Sequence, residues 1–394
     1  MNIPKHVKII LDRLASAGFD AYVVGGSLRD SILGLPAHDW DVTSGATPDE
    51  VIALFSEDMH VIPTGLKHGT VTVVSSGDPI EITTFRTDGE YVDSRRPETV
   101  TFSKKVEDDL SRRDFTVNAM AYNESRGLVD LFGGREDLLR RIIRCVGDPE
   151  KRFSEDALRI MRAFRFSSQL GFDIESETLT AAYSMKNGLK NIAKERIGSE
   201  FLRLLSGVAA KDSLLKMGDI LDIIIPESLD TQRFLKIDEL QCDAIVRLAF
   251  LLCGASEQST RNASHSLKLS SKECQRLMKL STPIPENELK NLTESGARRL
   301  ISVYGADTLA ASEIASHLYD IDRPSVEILR RVIDEDPPVT LDRLAINGAD
   351  LMREGIASGR QIGAVLSALL SEVIDDPQKN TRHTLLEMAR IFTK

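Results

Sequence analysis

Close cysteine pairs are missing from this chain. Its four cysteines, Cys145, Cys242, Cys253 and Cys274, are scattered over 394 residues. That spacing gives neither a zinc nor a redox signature, and it suits reduced thiols in a cytoplasm. The seven histidines show no ligand spacing either. No run of about 18 apolar residues occurs, which excludes a transmembrane helix and a membrane partner of that kind. Met1 to Lys8 lead straight into an amphipathic pattern, so no signal peptide is expected and the expected location is cytoplasmic. Internal repeats and low-complexity tracts are absent. Positive charge is short overall: a formal net charge of −10 argues against indiscriminate nucleic-acid binding.

What is present starts with ordinary bulk. Hydrophobic residues make up 42% and charged residues 28%, as in a soluble protein with a sizeable core. The length suits about two to four compact units. Ala21–Val24 reads as a strand, Leu28–Leu33 as a short helix and Asp39–Val42 as a strand. Pro48–Phe55 reads as a helix capped by Thr47. Thr70–Val74 and Ile80–Thr84 are β-rich and pair through a turn at Ser75–Pro79. Beyond about Asp137 strand signals almost vanish. Ser154–Leu170, Glu195–Leu205, Cys242–Leu252, Thr308–Tyr319, Ser325–Ile333 and Gly363–Val373 show helical periodicity, and Pro337-Pro338 marks a break. The expected fold class is α+β: a small mixed β-sheet head, followed by an elongated all-helical body and tail. We divide it at residues 1–137, 138–205, 206–338 and 339–394.

Two features of the head carry chemistry. Gly25-Gly26 follows the first strand and opens a helix, where glycines let the backbone approach phosphate and the helix offers free N–H groups. Arg29 can neutralise a triphosphate. Asp39 and Asp41, two apart on a strand, are expected to project side by side. Carboxylates so placed suit Mg²⁺, which binds through one or two of them plus substrate phosphates. Trp40 between them should point into the core. The pair reads as the metal site of a phosphoryl- or nucleotidyl-transferase working with two ions. Glu81 is a candidate third carboxylate, with a plain surface charge as the equal alternative. Basic residues cluster nearby, from Arg86 to Arg113 and again from Arg135 to Arg165. Solvated helix faces are the bland reading for each, and their place beside the phosphate site points some of them to function.

Five ordered motifs then make the chain resemble the tRNA nucleotidyltransferases, the CCA-adding enzymes of the β-polymerase superfamily, in the class that also holds bacterial poly(A) polymerases. They are Gly25–Asp30 with Asp39-Trp40-Asp41, Arg112–Ala119, Asp130–Leu138, Glu155–Arg162 and Glu195–Glu200. Together they cover roughly residues 20–205. The resemblance implies a catalytic head, a nucleotide-recognition neck, a helical body and a tRNA-binding tail over the four segments above. It implies template-free addition of C, C and A to tRNA 3′ ends from CTP and ATP, with Mg²⁺. An A-adding enzyme or a poly(A) polymerase is the alternative. It also leaves room for a homodimer.

By resemblance, Asp114, Asn118 and one or both of Arg112 and Arg113 contact the ribose or phosphates of the incoming nucleotide, from a helix start. Arg162 joins the nucleotide site on the same ground. In the fourth motif Ser154 is the expected N-cap, with Glu155 and Asp156 in the first turn. Asp156 can then accept from the amino group of cytosine or adenine while Arg159 donates to the adjacent ring nitrogen. Guanine and uracil present the reverse order. Glu155, four residues before Arg159, can hold it in place. Gly133-Gly134 is a candidate hinge for switching from C to A, with a tight turn as the alternative. Phe85–Phe102 is polar, with few helix or strand signals. Relatives carry a flexible loop here that is associated with the final A, which favours complete CCA addition. Lys190, Lys194, Arg196 and Arg203 are the expected RNA contacts.

Overall fold

The computed structural model describes residues 3–37, 39–89, 100–227, 229–321 and 324–393. It forms two compact units, Met1–Ser228 with Ser266–Lys268, and Leu229–His265 with Leu269–Lys394.

The first unit opens with α1 (Lys5–Ser16), β1 (Ala21–Val24), α2 (Gly25–Ile32), β2 (Asp41–Ser44) and α3 (Pro48–Phe55). Then come β3 (His60–Gly65), β4 (Thr70–Ser75), β5 (Asp78–Thr84), β6 (Arg86–Asp88), β7 (Val100–Phe102) and α4 (Val106–Ser111). β8 (Met120–Asn123), β9 (Gly127–Asp130) and α5 (Gly134–Arg140) complete the head. Seven strands form one sheet in the order β3-β4-β5-β2-β1-β8-β9. Only the β2–β5 pair is parallel, and it sets Asp41 opposite Glu81. The β4–β5 hairpin is as expected, with Ser75 paired to Asp78 across its turn.

Local chemistry explains the elements that hold their expected bounds. Thr47 and Glu50 form a capping box on α3, with Pro48 in the first turn. α1 and α3 cover one face of the sheet, where Val7, Ile10, Leu14, Val42, Val51, Phe55 and Val71 form a core. Trp40 is 8% exposed and packs there, as expected. Phe85–Phe102 holds more regular structure than its few strand signals imply: β6 and β7 pair antiparallel. Residues 90–99, the centre of the expected loop, lie outside the described residues.

After the head come α6 (Pro149–Glu155), α7 (Leu158–Leu170), α8 (Ser176–Met185) and α9 (Lys194–Leu205). Ile142–Ile143 pairs in parallel with Asp173–Ile174, and Cys145 bridges back to Phe115. The second unit is helical among its described residues. Helix Ala244–Leu252 is capped by Asp243. Near the C-terminus Leu351, Leu369, Val373, Leu385 and Ala389 pack into a core of their own. Buried Arg298 donates to the carbonyls of Ile374 and Asp375, closing the end of helix Gln361–Asp375.

Candidate active site

β1 delivers the chain to Gly25 at a φ of +75°, and α2 starts at that residue. A Cβ on Gly25 would stand 3.3 Å from Asp41 Oδ2 and 3.8 Å from Arg113 Nη1. The backbone therefore lies close beside a carboxylate and a guanidinium. The α2 N-terminus, Asp41 and the Arg112–Asn118 segment border one cavity of about 590 Å³. Asp156, Arg159, Arg162 and Arg196 line it as well. Seven arginines face three aspartates around its wall. Such a surplus of guanidinium suits a polyanion.

Asp39 corrects the strand reading. β2 begins at Asp41, whereas Asp39 is exposed in a bend at a φ of +49°. The alternation of a strand therefore does not align the two side chains. The reason is local: an Asp tolerates the left-handed region, and the chain turns there before entering the sheet. Asp41 itself is strongly perturbed. Burial, then Glu81 across the parallel pair, then Asp39 push its carboxyl up to about 6, against the pull of Arg113. These carboxylates fit a divalent cation, which would offset that crowding. Among the described residues no three ligating side chains form a ready cluster. A triphosphate would supply the remaining oxygens.

Arg112 follows the end of α4, and the second motif leads only into a single 3-10 turn, Thr116–Asn118, with Phe115 before it. Asp114 Oδ1 accepts from the amide of Phe115 at 2.9 Å, and Oδ2 from Arg162 Nε at 2.7 Å. Burial would raise its carboxyl, but Arg162 and Arg159 hold it below the ordinary range. Arg29 Nη1 donates to Asn118 Oδ1 at 2.8 Å. Arg29, Arg162 and Arg165 also surround the Phe166 ring, 5.4, 5.2 and 4.0 Å from its centroid.

The fourth motif is broken where a continuous helix was expected. α6 starts at Pro149 under an Asp148 cap and ends at Glu155. Asp156 is extended, with φ −146° and ψ 105°, and α7 starts at Leu158. Ser154 is thus near a helix end and caps nothing. Asp156 Oδ1 accepts from the Leu158 amide at 3.0 Å, and Oδ2 from Arg196 Nη2 at 2.8 Å. Glu155 Oε2 holds Arg159 Nη1 at 2.5 Å, as the i,i+4 spacing implied. Arg159 Nη2 donates to the Arg112 carbonyl at 3.1 Å. The two halves of the cavity are joined there.

Of the expected RNA contacts, Arg196 faces this cavity and pairs with Asp156. Lys190, Lys194 and Arg203 are exposed outside its lining. Glu81 is exposed and acts on Asp41. Gly134 has a packing reason: a Cβ there would come within 2.2 Å of the Thr116 carbonyl oxygen. Asp109, Phe166 and Gln169 carried no expected role, while Arg165 was placed only within the basic cluster from Arg135 to Arg165. Spacing gave a signal for Asp109 alone, which stands three and four residues before Arg112 and Arg113.

A mixed sheet that sets carboxylates and a glycine turn against an arginine-lined cavity defines a nucleotidyltransferase head. Residues 21–144 match the profile "Poly A polymerase head domain". Residues 171–230 match "Probable RNA and SrmB- binding site of polymerase A", and residues 242–389 match domain 2 of tRNA nucleotidyltransferases. The chain is 36% identical to the CCA-adding enzyme of Ligilactobacillus salivarius, over 99% of this chain and 97% of that one. It is 38% identical to the CCA-adding enzyme of Leuconostoc citreum, over 97% and 94%. The crystal structure of the Bacillus stearothermophilus CCA-adding enzyme in complex with CTP superposes with a TM-score of 0.83 at 31% identity, covering 99% of both chains. The chain belongs to the CCA-adding enzymes, which are tRNA nucleotidyltransferases. No helix among the described residues is long and apolar enough to cross a membrane.

Proposed function

We propose that the arginine-lined cavity is the nucleotide site of an enzyme that adds C, C and A to tRNA 3′ ends from CTP and ATP, releasing pyrophosphate. Full-length kinship with CCA-adding enzymes supports this over the A-adding and poly(A) polymerase alternatives. The observation that carries the assignment of the site is the seven arginines and three aspartates around one cavity at the α2 N-terminus.

Arg29, Arg112 and Arg113 would take the triphosphate together with the amides at Gly25 and Gly26. Asp114, Asn118 and Arg162 would bound the ribose side. Asp156 would accept from the amino group of C or A, and Arg159 would donate to the neighbouring ring nitrogen. Glu155 and the Arg152 carbonyl fix Arg159, while Arg196 fixes Asp156. A rigid donor–acceptor pair rejects G and U, because the wrong base would leave buried polar groups unpaired. Protein groups thus stand in for a template.

Asp41, with Asp39 and Glu81 beside it, would hold the divalent ion that nucleotidyltransferases of this family generally use, and Mg²⁺ is the ion proposed. When bound, such an ion lowers the pKa of the attacking hydroxyl and neutralises charge on the leaving phosphates. Lys190, Lys194 and Arg203 remain the proposed RNA contacts outside the cavity, in the cytoplasm where tRNA is processed.

The test is misincorporation on a tRNA transcript lacking its 3′ CCA. Asp156→Ala and Arg159→Ala should admit GTP and UTP or lose C/A preference, whereas Asp39→Ala and Asp41→Ala should stop all transfer. Wild-type discrimination in both the Asp156→Ala and Arg159→Ala variants would refute the base-reading role.

A further inference from the structure

Asp109, on α4, is a fully buried carboxylate. Its oxygens are divided between two arginines. Oδ1 accepts from Arg112 Nε at 3.0 Å and Nη2 at 2.6 Å. Oδ2 accepts from Arg113 Nη2 at 3.1 Å. Both arginines line the cavity, and Asp109 stands behind them, outside its wall. Their other contacts lead across the site. Arg113 Nη1 donates to the Asn118 carbonyl at 3.2 Å, and the Arg112 carbonyl accepts from Arg159 at 3.1 Å.

A flexible cation beside a carboxylate has to be aimed. Arg113 already lies near Asp41, since both approach the point that a Gly25 Cβ would occupy. Without a competing acceptor behind it, Arg113 is drawn toward Asp41, where it would compete for the oxygens that face the cavity. Burial alone would raise the Asp109 carboxyl, yet Arg113 and Arg112 hold it below the ordinary range. It therefore stays charged at neutral pH.

We propose that Asp109 is a positioning residue for nucleotide binding: its two oxygens, one per arginine, keep Arg112 and Arg113 aimed into the cavity and keep Arg113 off Asp41. This rests on the reading of the cavity as a triphosphate site. Asp109→Asn preserves the shape, but it removes the charge and turns one acceptor into a donor that faces a guanidinium. Asp109→Glu keeps the charge and displaces it by one methylene.

The experiment is calorimetric binding of CTP and of CMP to the full chain without RNA, so that nothing turns over. Circular dichroism verifies the fold of each variant. Asp109→Asn should weaken CTP about tenfold or more, as when an orienting partner behind a ligand-holding side chain is removed. CMP affinity should stay within about twofold, which places the defect on the two outer phosphates. Asp109→Glu should show a smaller loss of the same kind. In a background carrying both Arg112→Met and Arg113→Met, Asp109→Asn should add less than about twofold.

Equal weakening of CTP and CMP would overturn the proposal, as would an undiminished Asp109→Asn loss in that background. Wild-type CTP affinity in both Asp109 variants would do so as well. If the Arg112→Met, Arg113→Met protein itself binds CTP like the wild type, the triphosphate reading falls. A loss there without one at Asp109 removes only the positioning role.

Discussion

Asp41 shows how the site works against the stability of its own fold. Its folded value of about 6 lies above the ordinary 3.8. The folded chain therefore holds more protons than the unfolded one between those values, and stability falls as pH rises through that window. The cost is complete above about pH 6, at no more than about 3 kcal/mol. Asp41→Asn should raise the Tm of the metal-free protein by a few degrees at pH 7.5, and the gain should vanish near pH 4. Transfer should fall by about 10³-fold or more, because several kcal/mol of transition-state stabilisation is lost. Thermal melts at the two pH values check the first claim, and single-turnover assays check the second. A variant less stable than the wild type at pH 7.5 would contradict this account of Asp41.

Elements were legible where a local cap or turn fixed them. Thr47 and Glu50 close the N-terminus of α3, and the β4–β5 hairpin follows from two β-rich runs around a short turn. Thr47→Ala should cost about 1 kcal/mol by urea unfolding. The fourth motif was misread because apolar spacing continues across Asp156 while the backbone does not. The informative signal was Asp148-Pro149, an N-cap followed by proline at N1, which starts α6 five residues before Ser154. Asp39 failed for a related reason, since two-residue spacing aligns side chains only inside a strand. Side-chain pairing between distant segments was not legible, although the burial of Trp40 was. Nothing in the sequence around Arg196 tells that it reaches Asp156, forty positions away. Gly134 illustrates the same gap. Gly134→Ala should destabilise the head by about 1–3 kcal/mol in urea titrations, because the Thr116 carbonyl must move.

At the scale of the molecule, every residue lining the cavity belongs to the first unit. The tail has a separate core around Leu351, Leu369 and Leu385. Leu385→Ala should therefore cost about 2–5 kcal/mol of stability in the tail while CTP affinity stays within about twofold. Calorimetry reads both, and a large loss of CTP affinity would contradict the division. The acidic chain as a whole gave little hint of an arginine-rich site, because net charge averages over a surface whereas recognition depends on one cavity. The most direct test of the account is 3′-end sequencing of a tRNA transcript lacking CCA, after incubation with this protein, Mg²⁺, CTP and ATP. Ends that stop at CCA are predicted. Addition of A alone, a long A tail or unchanged ends would contradict it.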